Sequence, residues 1–326
     1  MAQQVDRLRV IVSKGEESFA DAVIGGLDRA PKTLPCKFFY DLEGSRLFEK
    51  ITEEPSYYLT RAEREILAES ADEIVGEVGV ELSVVELGGG NSVKTRLLID
   101  AILRQQDRLH FTNVDISREY LEDSARALLA DYDNLEMDAI AAEYDDAFDL
   151  LPPREGPRLF LFMGSNLGNF SPGDAGDLLC RLNSVMDFDD ALLVGIDRLK
   201  DSAIIEAAYN DENGITEAFN KNILARINRE LGGTFDLDKF AHFARFRPEK
   251  GRIEMLLVSS ARQTVEVLGR DFGFKQDETI QTEECAKYSR PQFAALAASV
   301  DLRVVRSWTD ENEWFDVYLL RLANGG

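Results

Sequence analysis

The middle of the chain alternates short apolar runs with segments in which apolar residues recur every three or four positions. The apolar runs lie at 83–87, 109–114, 158–163 and 191–196, and each predicts a buried strand. The segments between them predict helices. A helix that joins two parallel strands returns the chain to the starting edge of the sheet, so this pattern predicts an α/β fold with a parallel sheet.

After residue 197 the pattern changes. Two helical segments are followed by residues 252–258 and 263–268, in which apolar and polar positions alternate as in antiparallel strands. A helix over 291–299 and two strands joined by a tight turn complete the chain. The change of pattern predicts two domains, which comprise residues 61–197 plus 287–326 and residues 1–60 plus 198–286.

A segment dense in aromatic residues, LPCKFFYDLEGSRLFEKITEEPSYYLTRAEREIL, occupies residues 34–67. Pro55 ends a helical pattern, because proline cannot continue a helix. Thr60 and Glu63, three positions apart, predict a capping box at the start of the next helix. Tyr57 belongs to a tyrosine pair that follows the proline, which is a less usual position for core residues, although burial in the core is the alternative.

Three consecutive glycines follow the first apolar run. Gly88, Gly89 and Gly90 come after the acidic Glu86 in the sequence ELGGG, and helical spacing resumes beyond them. Glycine is needed where the backbone takes a positive φ or where a ligand lies against it. The loop follows the carboxyl end of a predicted strand, where open α/β sheets bind ligands. It is a candidate ligand site, and an ordinary turn is the alternative.

The residues around this loop distinguish between two kinds of ligand. A dinucleotide site favours G-x-G-x-x-G, but Val93 stands at the place of the third glycine, and no P-loop lysine follows. Glu86 would repel a phosphate and would suit a cation. S-adenosylmethionine carries a sulfonium and an ammonium but no phosphate, and E-x-G-x-G resembles motif I of class I methyltransferases. Asp115, at the end of the next predicted strand, stands where nucleoside-binding folds hold the ribose hydroxyls.

Two more segments lie at predicted strand ends. Glu143 and Tyr144 are placed to meet an adenine by hydrogen bonding and stacking, with a solvated loop as the equal alternative. GSNLGN, at residues 164–169, is a candidate for substrate and cofactor contacts, with an ordinary turn as the equal alternative. The predicted cofactor contacts are Glu86, Gly88, Gly89, Gly90, Lys94, Asp115, Glu143 and Tyr144.

The net charge of the chain is −23, from 37 Lys and Arg against 60 Asp and Glu. A chain this acidic repels nucleic acid and anionic membranes, so small neutral or cationic substrates are the expected partners. No apolar run approaches the ~20 residues of a membrane span. Residues 1–17 lack the apolar core of a signal peptide, and we therefore expect a cytoplasmic protein.

The chain contains three cysteines and two histidines. The cysteines are odd in number and far apart, so they fit reduced thiols better than a disulfide framework. Two histidines are too few for a zinc or iron site built mainly from histidine. We therefore expect no metal.

Several long segments resemble the histidine-specific Nα-methyltransferases of ergothioneine biosynthesis and their relatives. The segments are YDLEGSRLFEKITEEPSYYLTRAEREIL, ELGGGNSVKTRLLIDA, GSNLGN, YNDENGITEAFNKNILARINREL and RIEM, and they are spread over nearly the whole chain. The resemblance implies a Rossmann-like class I methyltransferase sheet that binds S-adenosylmethionine, with a reversed strand near its end. It implies that the second domain is an α+β domain for an amino acid. We expect a monomer.

The resemblance also implies roles for individual residues. Tyr57, Asn169 and Tyr209 would hold the carboxylate and the amine of the amino acid. They match the tyrosine of a PxYY motif, the asparagine of G-S-x-x-G-N and a tyrosine before a long helix. A neutral amine would attack the sulfonium methyl group in line, so these residues are expected to orient the amine without a nucleophilic residue or a metal.

A second set of residues would contact the substrate's side chain. Tyr40 matches the tyrosine of YDxxGS, and Met255 belongs to RIEM. Glu283 and Cys285 match a Glu-x-Ser pair, so Cys285 replaces the family's serine. A thiol makes weak hydrogen bonds, and losing one in a buried site costs roughly 1–3 kcal/mol. The predicted substrate is L-histidine, with tryptophan, tyrosine or a related amine as the alternative.

A remote alternative is a nucleotide-binding protein of another class, such as an NAD-dependent oxidoreductase. The missing third glycine and the lack of an evident proton-relay residue count against it. Glu143 and Tyr144 also depart from the Asp-Phe pair expected of the family, although a carboxylate and an aromatic ring are kept.

Overall fold

The computed structural model describes residues 7–13, 18–79, 81–90 and 92–323. Internal contacts divide the chain into two units, Met1–Gly15 with Leu59–Leu199 and Tyr288–Gly326, and Glu16–Tyr58 with Lys200–Lys287. The described strands are β1 (Leu8–Val12), β2 (Lys32–Thr33), β3 (Ser83–Leu87), β4 (Leu109–Asp115), β5 (Leu135–Ala141), β6 (Arg158–Phe162), β7 (Ala191–Asp197), β8 (Phe240–Arg247), β9 (Arg252–Ser259), β10 (Gln263–Val267), β11 (Arg270–Phe274), β12 (Thr279–Ala286), β13 (Leu302–Thr309) and β14 (Phe315–Leu322). The described helices are α1 (Phe19–Asp28), α2 (Leu42–Glu53), α3 (Tyr58–Val78), α4 (Thr95–Leu103), α5 (Arg118–Asp131), α6 (Tyr144–Leu150), α7 (Pro172–Asn183), α8 (Ser202–Tyr209), α9 (Ile215–Leu231) and α10 (Arg290–Ser299).

The first unit is built on an eight-stranded sheet with the order β1-β5-β4-β3-β6-β7-β14-β13. The strands from β1 to β7 in this order run parallel, whereas β14 is antiparallel to both β7 and β13. The predicted α/β sheet and its reversed strand are therefore confirmed. Every residue of β6 and β7 is buried. Strands covered on both faces have no polar face, which explains their continuous apolar sequences.

The edge strand β1 lies in a different unit from the one that the sequence predicted for it. It pairs in parallel with β5, so that Leu8 lies opposite Met137 and Val12 lies opposite Ala141. This strand belongs to the first unit, whereas the sequence placed all of residues 1–60 in the second domain. A five-residue strand that pairs with a segment more than 120 positions away leaves little local signal in the sequence.

The apolar core of the first unit holds the strands of its sheet in position, and with them the loops at the strand ends. Phe160 and Phe162 of β6 are fully buried, and they share one apolar cluster with Phe148 of α6, Leu179 of α7 and Phe293 of α10. Because parallel strands present their carboxyl ends at a single edge, this packing brings the loops after β3, β4, β5 and β6 to the same edge of the sheet.

The second unit contains a four-stranded sheet with the order β2-β12-β9-β8. β9 is antiparallel to both of its neighbours, and the short β2 runs parallel to β12. β10 and β11 form a separate antiparallel hairpin. Helix α9 packs against α2 and against β8 and β9. The second unit is therefore an α+β structure, as predicted.

Within the ranges given above, no helix is long and apolar enough to cross a membrane. In the same part of the chain, no group of three or more His, Cys, Asp and Glu side chains is placed to hold a metal ion. The three cysteines, Cys36, Cys180 and Cys285, are free thiols.

Candidate active site

The glycine loop follows the carboxyl end of β3. Gly88 and Gly90 have φ values of 69° and 53°, in the left-handed region that favours glycine. A Cβ atom on Gly88 would overlap the hydroxyl of Tyr144 and would lie 2.9 Å from the side-chain nitrogen of Asn166. The loop therefore needs glycine both for its backbone conformation and for the close approach of these side chains.

Glu86 lies beneath this loop and is 3% exposed. Its carboxylate accepts hydrogen bonds from the hydroxyl of Ser92, at 3.1 Å, and from that of Thr95. Burial raises the pKa of Glu86 to about 7, despite these hydrogen bonds, so its charge is partial at neutral pH. The sequence predicted a charged contact with a cationic ligand. In the structure, Glu86 bonds to Ser92 of the loop and to Thr95 at the start of α4, and its contact with the cofactor stays a prediction.

Asp115 ends β4 at the same edge of the sheet. Its carboxylate accepts hydrogen bonds from the backbone N–H of Gly90, at 3.4 Å, and from that of Ser117, at 2.9 Å. Burial raises the pKa of this carboxyl group. The glycine loop and Asp115, which the sequence paired by spacing, therefore meet in the structure, and the carboxylate lies where such folds accept ribose hydroxyls.

Glu143 and Tyr144 follow β5 at the start of α6. Glu143 occupies the N-cap position and is half-buried. The ring of Tyr144 lies 5.4 Å from that of Phe162 and 6.2 Å from that of Phe170. Tyr144 therefore belongs to an aromatic cluster, and its hydroxyl reaches the glycine loop at Gly88.

Lys94 of the glycine loop forms an ion pair with Glu63 of α3. Glu63 is fully buried, and its second carboxylate oxygen accepts a hydrogen bond from the backbone N–H of Gly164 at 2.8 Å. One carboxylate thus links the loops after β3 and β6. The predicted capping box is wrong, because α3 begins at Tyr58 and Thr60 lies inside it.

Room for this carboxylate comes from another glycine. A Cβ atom on Gly195 of β7 would overlap Oε1 of Glu63. The role of Glu63 was not predicted from the sequence. The available signal was a glutamate on the apolar side of α3, between the buried residues Ala62 and Ile66. A buried charge on such a face indicates a specific partner.

Asn169 ends a short 3₁₀ turn, Asn166–Asn169, directly after β6. Ser165, just before the turn, has a left-handed φ of 59°. Its hydroxyl accepts a hydrogen bond from the backbone N–H of Asp197 at 3.1 Å, which ties the turn to the end of β7. Asn169 is half-buried at the edge of the sheet that carries the glycine loop.

The three tyrosines predicted to contact the substrate lie together in the second unit. The ring of Phe48 lies 5.8 Å from that of Tyr40 and 6.2 Å from that of Tyr57. The rings of Tyr57 and Tyr209 are 6.5 Å apart at an angle of 65°. Both of these tyrosines are buried. The tyrosines are far apart in the sequence, and the fold joins them in one aromatic cluster.

The remaining predicted substrate residues lie on β9 and β12. Met255 pairs with Glu283 across the two strands, next to an irregularity between Gln281 and Glu283. Burial raises the pKa of Glu283 to about 7, and the positive charge of Lys287 opposes this shift. Cys285 is buried two positions further along β12, and residues two apart point to the same face of a strand.

Lys287, which was not predicted from the sequence as a site residue, contacts Tyr209 and Cys285. Its ammonium nitrogen lies 3.0 Å from the hydroxyl of Tyr209 and 3.5 Å from the sulfur of Cys285. Lys287 is 3% exposed. The spacing Glu283-x-Cys285-x-Lys287 was visible in the sequence, but a lysine near a strand end is ordinarily exposed, so the spacing alone gave no reason to expect burial.

The geometry of the first unit fits a particular cofactor. The glycine loop takes a left-handed backbone conformation that favours glycine, Asp115 supplies an acceptor, and Tyr144 supplies an aromatic ring. These groups suit a nucleoside, and no third glycine brings a helix N-terminus close to a pyrophosphate. Together with the reversed strand β14, they are the features of a class I S-adenosylmethionine-dependent methyltransferase.

The chain belongs to the family of histidine-specific, S-adenosylmethionine-dependent methyltransferases, whose model matches residues 19–322. A histidine N-alpha-methyltransferase from Mycobacterium tuberculosis is 40% identical over 291 residues, which cover 89% of this chain and 90% of that protein. One from Mycolicibacterium smegmatis is 38% identical over 296 residues, which cover 90% and 92%. The ergothioneine biosynthesis protein 1 of Neurospora crassa is 32% identical over 289 residues, which cover 87% of this chain and 32% of that protein.

The family match confirms the class of enzyme and the cofactor that were predicted from the sequence. The protein is an S-adenosylmethionine-dependent N-methyltransferase, and the oxidoreductase alternative is set aside. The family match leaves the roles of the individual site residues as predictions.

Proposed function

We propose that this enzyme transfers methyl groups to the α-amino group of L-histidine, up to the trimethylated betaine hercynine. The observation that carries the proposal is the half-buried Glu283, whose carboxyl group has its pKa raised to about 7 by desolvation, with the buried Cys285 two positions away on β12. This carboxyl group offers an acceptor to an imidazole N–H. The names of the two mycobacterial relatives support histidine as the substrate, and the name of the fungal relative supports a place in ergothioneine biosynthesis.

The proposal assigns the cofactor to the first unit and the amino acid to the second. The glycine loop, Asp115, Glu143 and Tyr144 would hold S-adenosylmethionine, with Lys94 maintaining the loop through its ion pair. When bound, this cofactor supplies a methyl group on a positively charged sulfur, which an amine nitrogen can displace in line. Asn169 lies in the first unit, at the edge of the sheet that carries the glycine loop.

The tyrosines would orient the amino acid. The hydroxyls of Tyr57 and Tyr209 are suited to hold its carboxylate and amine, and both side chains are buried. Each methyl transfer removes an N–H donor, so a pocket that forms a quaternary product depends little on hydrogen bonds from the amine. The faces of the aromatic rings attract the resulting cation instead.

Cys285 favours the second candidate substrate class, other aromatic amino acids or a related amine. The thiol is a weaker hydrogen-bond partner for an imidazole than a serine hydroxyl would be. Tryptophan and tyrosine place larger, more apolar rings against such a thiol. We therefore keep N-methylation of these amino acids as the alternative within the same chemistry.

The proposal also includes a monomeric enzyme in the cytoplasm. The free thiols support the cytoplasm, which is a reducing compartment. Size-exclusion chromatography with light scattering would test the oligomeric state, and a mass of twice 36.6 kDa would contradict it.

Mass spectrometry tests the proposed substrate. The enzyme is incubated with S-adenosylmethionine and, in separate reactions, with histidine, tryptophan, tyrosine and histamine. We expect histidine to gain up to three methyl groups, about 42 Da in total, by the in-line transfer described above. Preferential methylation of tryptophan or tyrosine would select the alternative, and no mass gain on any α-amino acid would refute the proposed function.

Replacing Tyr209 with phenylalanine is expected to raise the KM for histidine by about 10- to 100-fold, which corresponds to the loss of a hydrogen bond to a charged group. The affinity for S-adenosylhomocysteine should not change, because the proposed cofactor residues lie in the other unit. Steady-state kinetics measures the KM for histidine, and calorimetry measures the affinities for histidine and S-adenosylhomocysteine. Tyr132→Phe is the matched control, since its hydroxyl bonds to Asp100 on the surface. An equal loss of both affinities in Tyr209→Phe would contradict the assignment.

A further inference from the structure

Lys287 is a buried cation to which the proposed reaction has so far given no role. It directly follows β12 and is 3% exposed. Moving an ammonium group out of water is costly, so its surroundings must stabilise the charge. Two of its contacts are the hydroxyl of Tyr209, at 3.0 Å, and the sulfur of Cys285, at 3.5 Å. Both of these side chains belong to the proposed substrate site.

The direction of the bond between Lys287 and Tyr209 follows from their chemistry. An ammonium group has donors only, so the phenolic oxygen of Tyr209 is the acceptor. The O–H of Tyr209 must then be directed away from Lys287. A hydroxyl that accepts a charge-assisted hydrogen bond also becomes a stronger donor, because neighbouring bonds polarise one another.

The charges around Lys287 are complementary to those of an amino acid. Glu283 is half-buried and lies close enough to Lys287 that the lysine's charge lowers the pKa of the carboxyl group, against the larger opposite effect of desolvation. Tyr209 also packs against the ring of Tyr57, which confines its side chain. The site therefore contains an acidic group for a cationic or N–H-bearing side chain, and a basic group that acts on the tyrosine proposed to meet the carboxylate.

We propose that Lys287 is a positioning residue that makes the enzyme specific for substrates with a carboxylate. It donates to the oxygen of Tyr209, so that the Tyr209 O–H is directed at the carboxylate of the amino acid. The inference rests on the proposed function and names a determinant of its specificity. The enzyme should therefore discriminate between histidine and histamine, which has the same imidazole and amine but lacks the carboxylate.

A purely structural role for Lys287 predicts a different result. If the lysine only held β12 against α8, its loss would affect histidine and histamine alike. It would also act independently of the Tyr209 hydroxyl. The two roles therefore differ in the ratio of the two substrates and in the coupling between the two residues.

The test compares Lys287→Met, Lys287→Arg, Tyr209→Phe and the double variant Lys287→Met/Tyr209→Phe with the wild-type enzyme. Methionine keeps the length of the lysine without its charge, and arginine keeps the charge and the donors. KM and kcat are measured for histidine, and inhibition constants are measured for histamine. Thermal unfolding and the affinity for S-adenosylhomocysteine confirm that each variant is folded.

For Lys287→Met we expect kcat/KM for histidine to fall about 10- to 100-fold, mainly through KM, while histamine binding changes less than threefold. Lys287→Arg should recover part of the loss. The double variant should be no worse than Tyr209→Phe alone, because the lysine acts through the tyrosine. If Lys287→Met does not fold, Lys287→Arg and Tyr209→Phe still test the discrimination between histidine and histamine. Tyr209→Phe alone must lower that discrimination.

Equal losses for histidine and histamine, or losses that multiply in the double variant, would overturn the inference. The wild-type reaction is the control for the proposed function itself. A wild-type enzyme that methylates no α-amino acid would refute that function and this inference with it. Normal methylation of histidine by the wild type, with unchanged discrimination in Lys287→Met, would refute the inference alone.

Discussion

Replacing Gly88 with alanine is expected to weaken binding of S-adenosylhomocysteine by at least about 100-fold. An alanine at the φ of 69° seen here has a strain of roughly 1–2 kcal/mol. Its Cβ atom would also overlap the hydroxyl of Tyr144 and crowd the side chain of Asn166. The ring of Tyr144 would have to leave the aromatic cluster that it forms with Phe162 and Phe170. The loop and the proposed adenine contact are therefore displaced together.

Gly76→Ala is the matched control for this substitution. Gly76 lies within α3 in the same unit, and a Cβ atom there meets nothing within 4 Å. Alanine is favoured over glycine in a helix by about 1 kcal/mol, so this variant should be as stable as the wild type or slightly more stable. Calorimetric titration should give it the wild-type affinity. Wild-type affinity in Gly88→Ala would show that the loop does not contact the cofactor.

The sequence predicts most of the first unit because its signals are local. An apolar run followed by glycines marks the end of β3, and Asp115 ends the next strand along the chain. Parallel topology then requires the two ends to lie at one edge. The contact between Asp115 and Gly90 follows from that rule, without knowledge of any side-chain conformation.

The direct partners of Glu86 could not be predicted in the same way. An acidic residue beside a glycine loop can contact a ligand, and it can also hold the loop in place through hydrogen bonds. The hydrogen bonds of Glu86 depend on how the hydroxyls of Ser92 and Thr95 turn toward the carboxylate, and burial then raises the pKa of Glu86 to about 7. These are properties of packing, which the local pattern does not contain.

Glu63 and Lys287 show a second reason why some site residues could not be predicted from the sequence. Glu63 meets Gly164 across 101 positions of the chain, and Lys287 meets Tyr209 across 78. A helix pattern with one glutamate and a strand with one lysine are compatible with exposed side chains. The burial of these two charges is decided by tertiary contacts, so only the structure brings them into the site.

Glu283→Gln is expected to lower histidine turnover strongly. Glutamine keeps the shape of the side chain but removes the negative charge. The loss of a hydrogen bond to a charged acceptor should lower kcat/KM for histidine by about 10- to 100-fold at pH 8. Glu284→Gln is the matched control on the neighbouring position of β12, where the native carboxylate pairs with Arg252 at 3.1 Å. It should retain nearly wild-type kcat/KM.

The pH dependence of kcat/KM for histidine tests the role of the Glu283 charge more specifically. Burial raises the pKa of Glu283 to about 7, so in the wild type this group is mostly ionised at pH 8 and mostly protonated at pH 6. Protonated Glu283 and glutamine are both neutral. The ratio of wild-type to Glu283→Gln kcat/KM should therefore fall between pH 8 and pH 6, by up to about tenfold.

Stability supplies an independent measurement of the same pKa. The folded-state pKa of Glu283, about 7, lies above the ordinary value of 4.5, so the folded protein binds this proton more tightly than the unfolded chain. The resulting stabilisation is complete below about pH 4.5 and is lost as the pH rises through 7. Glutamine does not titrate, so the melting temperature of Glu283→Gln should rise relative to the wild type between pH 5 and pH 8. A constant difference in melting temperature, together with a constant kcat/KM ratio, would assign the titration to another group.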